Sequence, residues 1–111
     1  MSKTVEEIKC GYAPVYTAIY PDLCRIFQKH GYALTVHGSM RRDFDLVAVP
    51  WAEKVSAHEV VLGDIQKTFA TTMIGYGTPK NHGRIAYTLA IGFGECAIDL
   101  SFFPYGKPYE G

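Results

Sequence analysis

The sequence has no excess of charge: eleven Lys and Arg offset eleven Asp and Glu. Non-specific attraction to duplex nucleic acid or to an anionic membrane needs a net positive field, so neither is expected as a partner. Any phosphate recognition has to come from a local cluster. No apolar run approaches the roughly 18 residues of a membrane-spanning helix. The opening Met1-Ser2-Lys3-Thr4-Val5-Glu6-Glu7 lacks the apolar centre of a secretion signal. The three cysteines, Cys10, Cys24 and Cys96, are odd in number and show no C-x-x-C spacing, which points to reduced thiols in a cytoplasm. No Cys/His pair has the spacing of a zinc site. A P-loop and a G-x-G-x-x-G are missing, and Ser39 lacks a nucleophile-elbow context.

What remains is a chain of 111 residues, 48% hydrophobic and 20% charged, without repeats, low-complexity stretches or a linker. That is enough for a single domain, residues 1–111, with its own core. Residues 1 to about 13 read as a loose or partly helical arm, and the Pro- and Gly-rich stretch 104–111 as irregular.

Between these ends the periodicity alternates between helix and strand. Tyr16, Ile19, Tyr20, Leu23, Ile26, Phe27 and His30 form a stripe over residues 14–30, interrupted by Pro21, where the helix kinks or starts, and stopped by Gly31. Residues 33–37 and 43–49 alternate as strands joined by a short turn, which predicts an antiparallel hairpin. Ser56-Ala57-His58-Glu59 has the form of a capping box, and Val61, Ile65, Phe69 and Met73 then predict a helix over 57–74 that ends at Gly75. Gly63 inside it suggests close packing on the sheet. Residues 76–83 read as a loop, 84–93 as a strand, Gly92, Gly94 and Glu95 as a turn, and 96–103 as the last strand. The expectation is an α+β fold: a small, mainly antiparallel sheet of about four strands with two helices on one face.

The chemistry concentrates in His37-Gly38-Ser39-Met40-Arg41-Arg42-Asp43-Phe44-Asp45-Leu46. Strand side chains alternate, so Asp43 and Asp45 share one face while Phe44 and Leu46 take the other. Two such carboxylates can hold one Mg²⁺ together with phosphate oxygens. Asp99, in the otherwise apolar 96–103 segment, would join them if its strand lies beside the hairpin; an Asp99–Arg84 ion pair is the structural alternative. Arg41, Arg42, Lys80 and Arg84 are candidates for phosphate contacts, and His37 and His82 for general acid or base. Tyr76, Tyr105 and Tyr109 in loops, and Trp51 after a strand, could stack on a base, although packing is the commoner use of such rings.

Gly38-Ser39 after a strand, Asp43-x-Asp45 opening the next and a lone Asp99 in a later strand resemble the core of DNA polymerase beta-type nucleotidyltransferases. The resemblance covers residues 33–50 and 96–103. It implies that Gly38 and Ser39 bind nucleotide phosphates, and that Asp43, Asp45 and Asp99 are catalytic and hold two Mg²⁺ ions that clamp the attacking and leaving oxygens. That family places a helix between Gly-Ser and Asp-x-Asp; here only Met40-Arg41-Arg42 intervene. Residues 37–51 and 78–84 are also similar to segments of small bacteriophage proteins, which would place the chain in a host bacterial cytoplasm and brings no activity with it.

Three readings follow. The chain is a metal-dependent nucleotidyl- or phosphoryl-transfer enzyme, a non-catalytic binder that sequesters a host nucleotide messenger as an anti-defence device, or a protein-interaction module that blocks a host enzyme. The aromatic content also leaves a homo-oligomer open.

Overall fold

The computed structural model describes residues 13–91 and 96–104. The predicted N-terminal arm, the turn at 92–95, the end of the strand expected to reach Phe93, Cys10, Tyr105 and Tyr109 lie outside them. The element order is α1 (Ala13–Lys29), β1 (Tyr32–His37), β2 (Asp43–Pro50), α2 (His58–Thr68), β3 (Thr71–Pro79), a 3₁₀ turn (Asn81–Gly83), β4 (Ile85–Ile91) and β5 (Ala97–Phe102).

Helix α1 buries Tyr16, Leu23, Ile26 and Phe27, the stripe that the spacing predicts. It continues through Pro21 rather than starting there. Thr17 and Pro21 are both exposed, so the hydrogen bond that a proline cannot donate falls on the solvent side of the helix. Gly31 ends the helix at φ +93°.

The five strands form one sheet in the order β1-β2-β5-β4-β3. The β1/β2 hairpin is antiparallel as expected. β5 inserts beside β2 in parallel, with Asp45 opposite Asp99. The sheet is therefore mixed, and it has one strand more than the sequence suggests.

The additional strand is β3, which corrects the expected 57–74 helix and the loop after it. Helix α2 ends at Thr68, and Phe69 is already extended at φ −122°, ψ 150°. The β-branched run Thr71, Thr72, Ile74 favours a pleated strand. Phe69 and Met73 still pack on the core, so the four-residue step marked the buried positions correctly and the element wrongly. The capping box is likewise absent: Ala57 is the N-cap and makes no side-chain cap bond. Gly63 is not a packing contact either, because a Cβ there would meet nothing within 4 Å.

Among the described residues, both helices cover one face. Phe44, Leu46 and Ala48 of β2 and Ile98, Leu100 and Phe102 of β5 are buried against Tyr16, Leu23, Phe27, Val61 and Ile65. Burying a side chain of this size contributes about 1.5–3 kcal/mol. Among the described residues, no helix covers the opposite face, and none is long and apolar enough to cross a membrane.

Candidate functional site

Alternation along β2 and β5 puts Asp43 and Asp45, and Asp99, on the bare face, because the intervening Phe44, Ile98 and Leu100 fill the core. Register then lines up four polar side chains across the sheet. His37 of β1 pairs with Asp45, Asp45 with Asp99, and Asp99 with Thr88 of β4. The three carboxylates that the sequence singles out are thereby brought together.

What favours their charged forms does not outweigh burial and mutual repulsion at Asp43 and Asp45. Burial pushes the carboxyls of both Asp43 and Asp45 above the ordinary range, and the charge of Asp99 adds to it. Asp45 also feels Asp43; His37 acts on Asp45, and Arg42 on Asp43, in the opposite direction. Asp99 accepts a hydrogen bond from Thr88 Oγ1 at 3.1 Å. The Asp99–Arg84 ion pair does not form. Arg84 donates through its guanidinium to Ser101 Oγ (3.2 Å) and to the Asn81 carbonyl (3.1 Å), and lies over the Phe103 ring. Among the described residues, no carboxylate pairs with it.

A cleft of about 610 Å³ opens on this face. His37, Asp45, Thr88, Asp99 and Ser101 lie along its floor, Lys80 and Arg84 at one end, and Ile74, Tyr76 and Thr78 of the edge strand β3 on one side. The two groups of basic residues do not form a single cluster. The 38–42 turn stands where β2 and β5 begin, whereas Lys80 and Arg84 stand beside the far end of β5, since Ile85 pairs with Phe102. Gly38, Ser39, Arg41, Arg42, Asp43 and His82 are not among the residues lining the cleft; Asp43 shares the face but stands outside it. His82 is exposed at φ 64° in the 3₁₀ turn. Trp51 is exposed just past β2, beside a separate shallow hollow.

The Gly38-Ser39 turn serves the carboxylates in another way. Gly38 has φ +79°, and a Cβ there would stand 2.7 Å from Asp45 Oδ2. Only glycine lets the backbone pass that close to the carboxylate. Ser39 Oγ accepts the Arg41 N–H at 3.3 Å, which steadies the turn. From below, the Tyr16 hydroxyl donates to the Arg42 carbonyl and accepts from the Ala97 N–H at 3.2 Å, which ties together the starts of β2 and β5. Burial pushes that phenol up to about 12. Sequence reasoning put Tyr16 in the helix stripe but missed this tie, because nothing in a helical period reports a polar tip.

Among the described residues, no three His, Cys, Asp or Glu side chains are grouped so as to hold a metal ion by themselves. Asp45 and Asp99 are two oxygen donors on adjacent strands, and Mg²⁺ characteristically completes its shell from phosphate and water.

A second polar constellation lies on the helix side. His30 Nδ1 is 2.7 Å from Ser56 Oγ, and His30 Nε2 is 2.7 Å from Asp64 Oδ2. The residue types are those of a hydrolase triad, but Lys29 Nζ also holds Asp64, at 2.8 Å, and neither Ser56 nor His30 lines the cleft. Nearby, burial pushes His58 down; its ring stacks on Phe102 at 4.0 Å and hydrogen-bonds Tyr87 at 2.8 Å. These groups join helix to helix and helix to sheet.

No protein-family model, curated protein or solved structure matches the chain.

Proposed function

We propose that the bare face of the sheet binds a nucleotide or another phosphorylated ligand, and that Asp43, Asp45 and Asp99 support metal-dependent nucleotidyl or phosphoryl transfer there. The observation that carries this reading is the in-register pair Asp45–Asp99: carboxylates crowded by one another, unpaired with the nearby Arg84, and lining an open cleft. Acidic groups held against their own repulsion characteristically serve a ligand or a cation.

The parts of the nucleotidyltransferase resemblance support the same reading. A glycine-serine turn precedes the Asp-x-Asp strand, and the third carboxylate stands on the neighbouring strand. Asp45 and Asp99 would hold Mg²⁺ jointly with phosphate oxygens, which withdraws charge from the reacting phosphorus. Arg84 and Lys80 would neutralise phosphate oxygens further along β5. Asp43, two residues before Asp45 on the same face, would add to the negative field that holds the cation, and Asp99 would also orient the attacking hydroxyl.

A second reading is favoured by a specific observation. Because no ready-made three-ligand metal group is present among the described residues, the same face would also suit a binder that sequesters a nucleotide unchanged.

Thermal unfolding with a nucleotide panel, with and without Mg²⁺, separates the two. A ligand present at 100 times its dissociation constant stabilises the folded state by about 2.7 kcal/mol. A shift that requires Mg²⁺, product formation by the wild type, and loss of both in Asp45→Ala are expected for the enzyme. A metal-independent shift with the nucleotide recovered intact marks the binder. No shift with any nucleotide contradicts both.

A further inference from the structure

We infer that the cleft selects nucleotides over base-free phosphate esters, with Tyr76 as the stacking platform for the base. This rests on the reading that the face takes a phosphorylated ligand, and it adds the class of that ligand.

Tyr76 is 92% exposed although it belongs to a strand. The local backbone accounts for this. The pairing of β3 with β4 slips between Ile74 and Thr78, so that Gly75, Tyr76 and Gly77 bulge out of the ladder. Gly75 takes φ +69°. Gly77 lies so close to β4 that a Cβ would stand 2.8 Å from the Tyr87 ring and 2.8 Å from Ile85 Cγ2. The strand is thus pinned on one side of Tyr76 and free to turn on the other, and its side chain is thrown outward. Tyr16, Tyr20, Tyr32 and Tyr87 all make ring–ring contacts; among the described residues, Tyr76 makes none. Ile74, also exposed, extends the same apolar wall of the cleft.

The spacing fits a nucleotide. Register places Ile74 opposite Thr88, and Thr88 opposite Asp99, so Tyr76 stands two strands away from the carboxylates and from Arg84 on Ser101. Two strand spacings are about 10 Å, the reach from a phosphate through a ribose to its base. A phosphate over β5 therefore delivers the base to β3. The cleft volume of about 610 Å³ accommodates a ligand of that size. A base offers a flat π-face of the kind an exposed phenol ring stacks against, and such contacts tolerate any base.

The test is titration calorimetry in Mg²⁺ with matched probes: AMP against ribose 5-phosphate, and ATP and UTP against inorganic tripolyphosphate. Wild type should bind each nucleotide about tenfold or more tightly than its base-free counterpart. Tyr76→Ala should remove most of that advantage while leaving the base-free affinities unchanged, and Tyr76→Phe should retain it. Equal binding of the paired probes by wild type, or an unaltered ratio in Tyr76→Ala, overturns the inference and leaves the parent reading standing. Binding of none of the probes overturns both.

Discussion

At the joint between the helices, His30 uses both ring nitrogens, one on Ser56 and one on Asp64, and Lys29 closes on Asp64 as well. On the bare face, Asp43, Asp45 and Asp99 crowd one another, and the basic group at the other end of the cleft, Arg84, turns to Ser101 and a carbonyl instead. The hydrogen bonds from Lys29 and His30 pull the Asp64 carboxyl down to about 2, whereas Asp43 and Asp45 are raised. The first cluster lowers its own energy in the folded chain and needs nothing more. The second raises its carboxyls instead, and it is there that the proposed ligand is placed. A constellation of Ser, His and Asp is thus not a sufficient sign of a site, and a plain pair of aspartates can be the better one.

The comparison can be strained at two glycines. Gly38→Ala forces a Cβ onto Asp45 Oδ2 at a positive φ, so it should cost about 1–2 kcal/mol in urea unfolding and weaken ligand binding by displacing that carboxylate. Gly63→Ala, on α2 next to Asp64, meets nothing and sits in a helix interior. It should stabilise the chain by about 0.5–1 kcal/mol and leave binding unchanged. A loss at Gly63 would show that the helix joint is more tightly packed than its open surroundings indicate.

Much of this was legible in the sequence, and the remainder has definite physical causes. The face shared by Asp43 and Asp45 follows from strand alternation alone, and the apolar-in, Asp-out pattern of 96–103 puts Asp99 on a matching face. Their meeting depended on β5 lying beside β2, a long-range pairing that no local signal encodes. The 57–74 segment misled because a four-residue apolar step also suits a helix that turns into a strand: Val61 and Ile65 face the core from α2, and Phe69 and Met73 do so from beyond it. The sequence marks Tyr76 as a stacking candidate in a loop. It stands in a strand, and only the register slip at Ile74/Thr78 reveals why it projects. The sequence offers Ser56 as a helix cap, whereas its hydroxyl engages His30, a partner 26 residues away.

The two clusters also predict opposite responses to pH. Asp64, held low, stabilises the fold above the ordinary carboxylate range, and that contribution is lost as pH falls from about 4 toward 2. Asp43 and Asp45, held high, bind protons more readily folded than unfolded, so they weaken the fold at neutral pH and are relieved as pH falls toward the ordinary carboxylate value. The most direct test is therefore the urea midpoint of wild type, Asp45→Asn and Asp64→Asn, at pH 7 and on acidification toward pH 4. Asp45→Asn should be more stable than wild type at pH 7, with an advantage that shrinks on acidification, while Asp64→Asn should be less stable. An Asp45→Asn midpoint at or below that of wild type at pH 7 would mean that the bare-face carboxylates are already satisfied within the chain, and would contradict their assignment to a ligand.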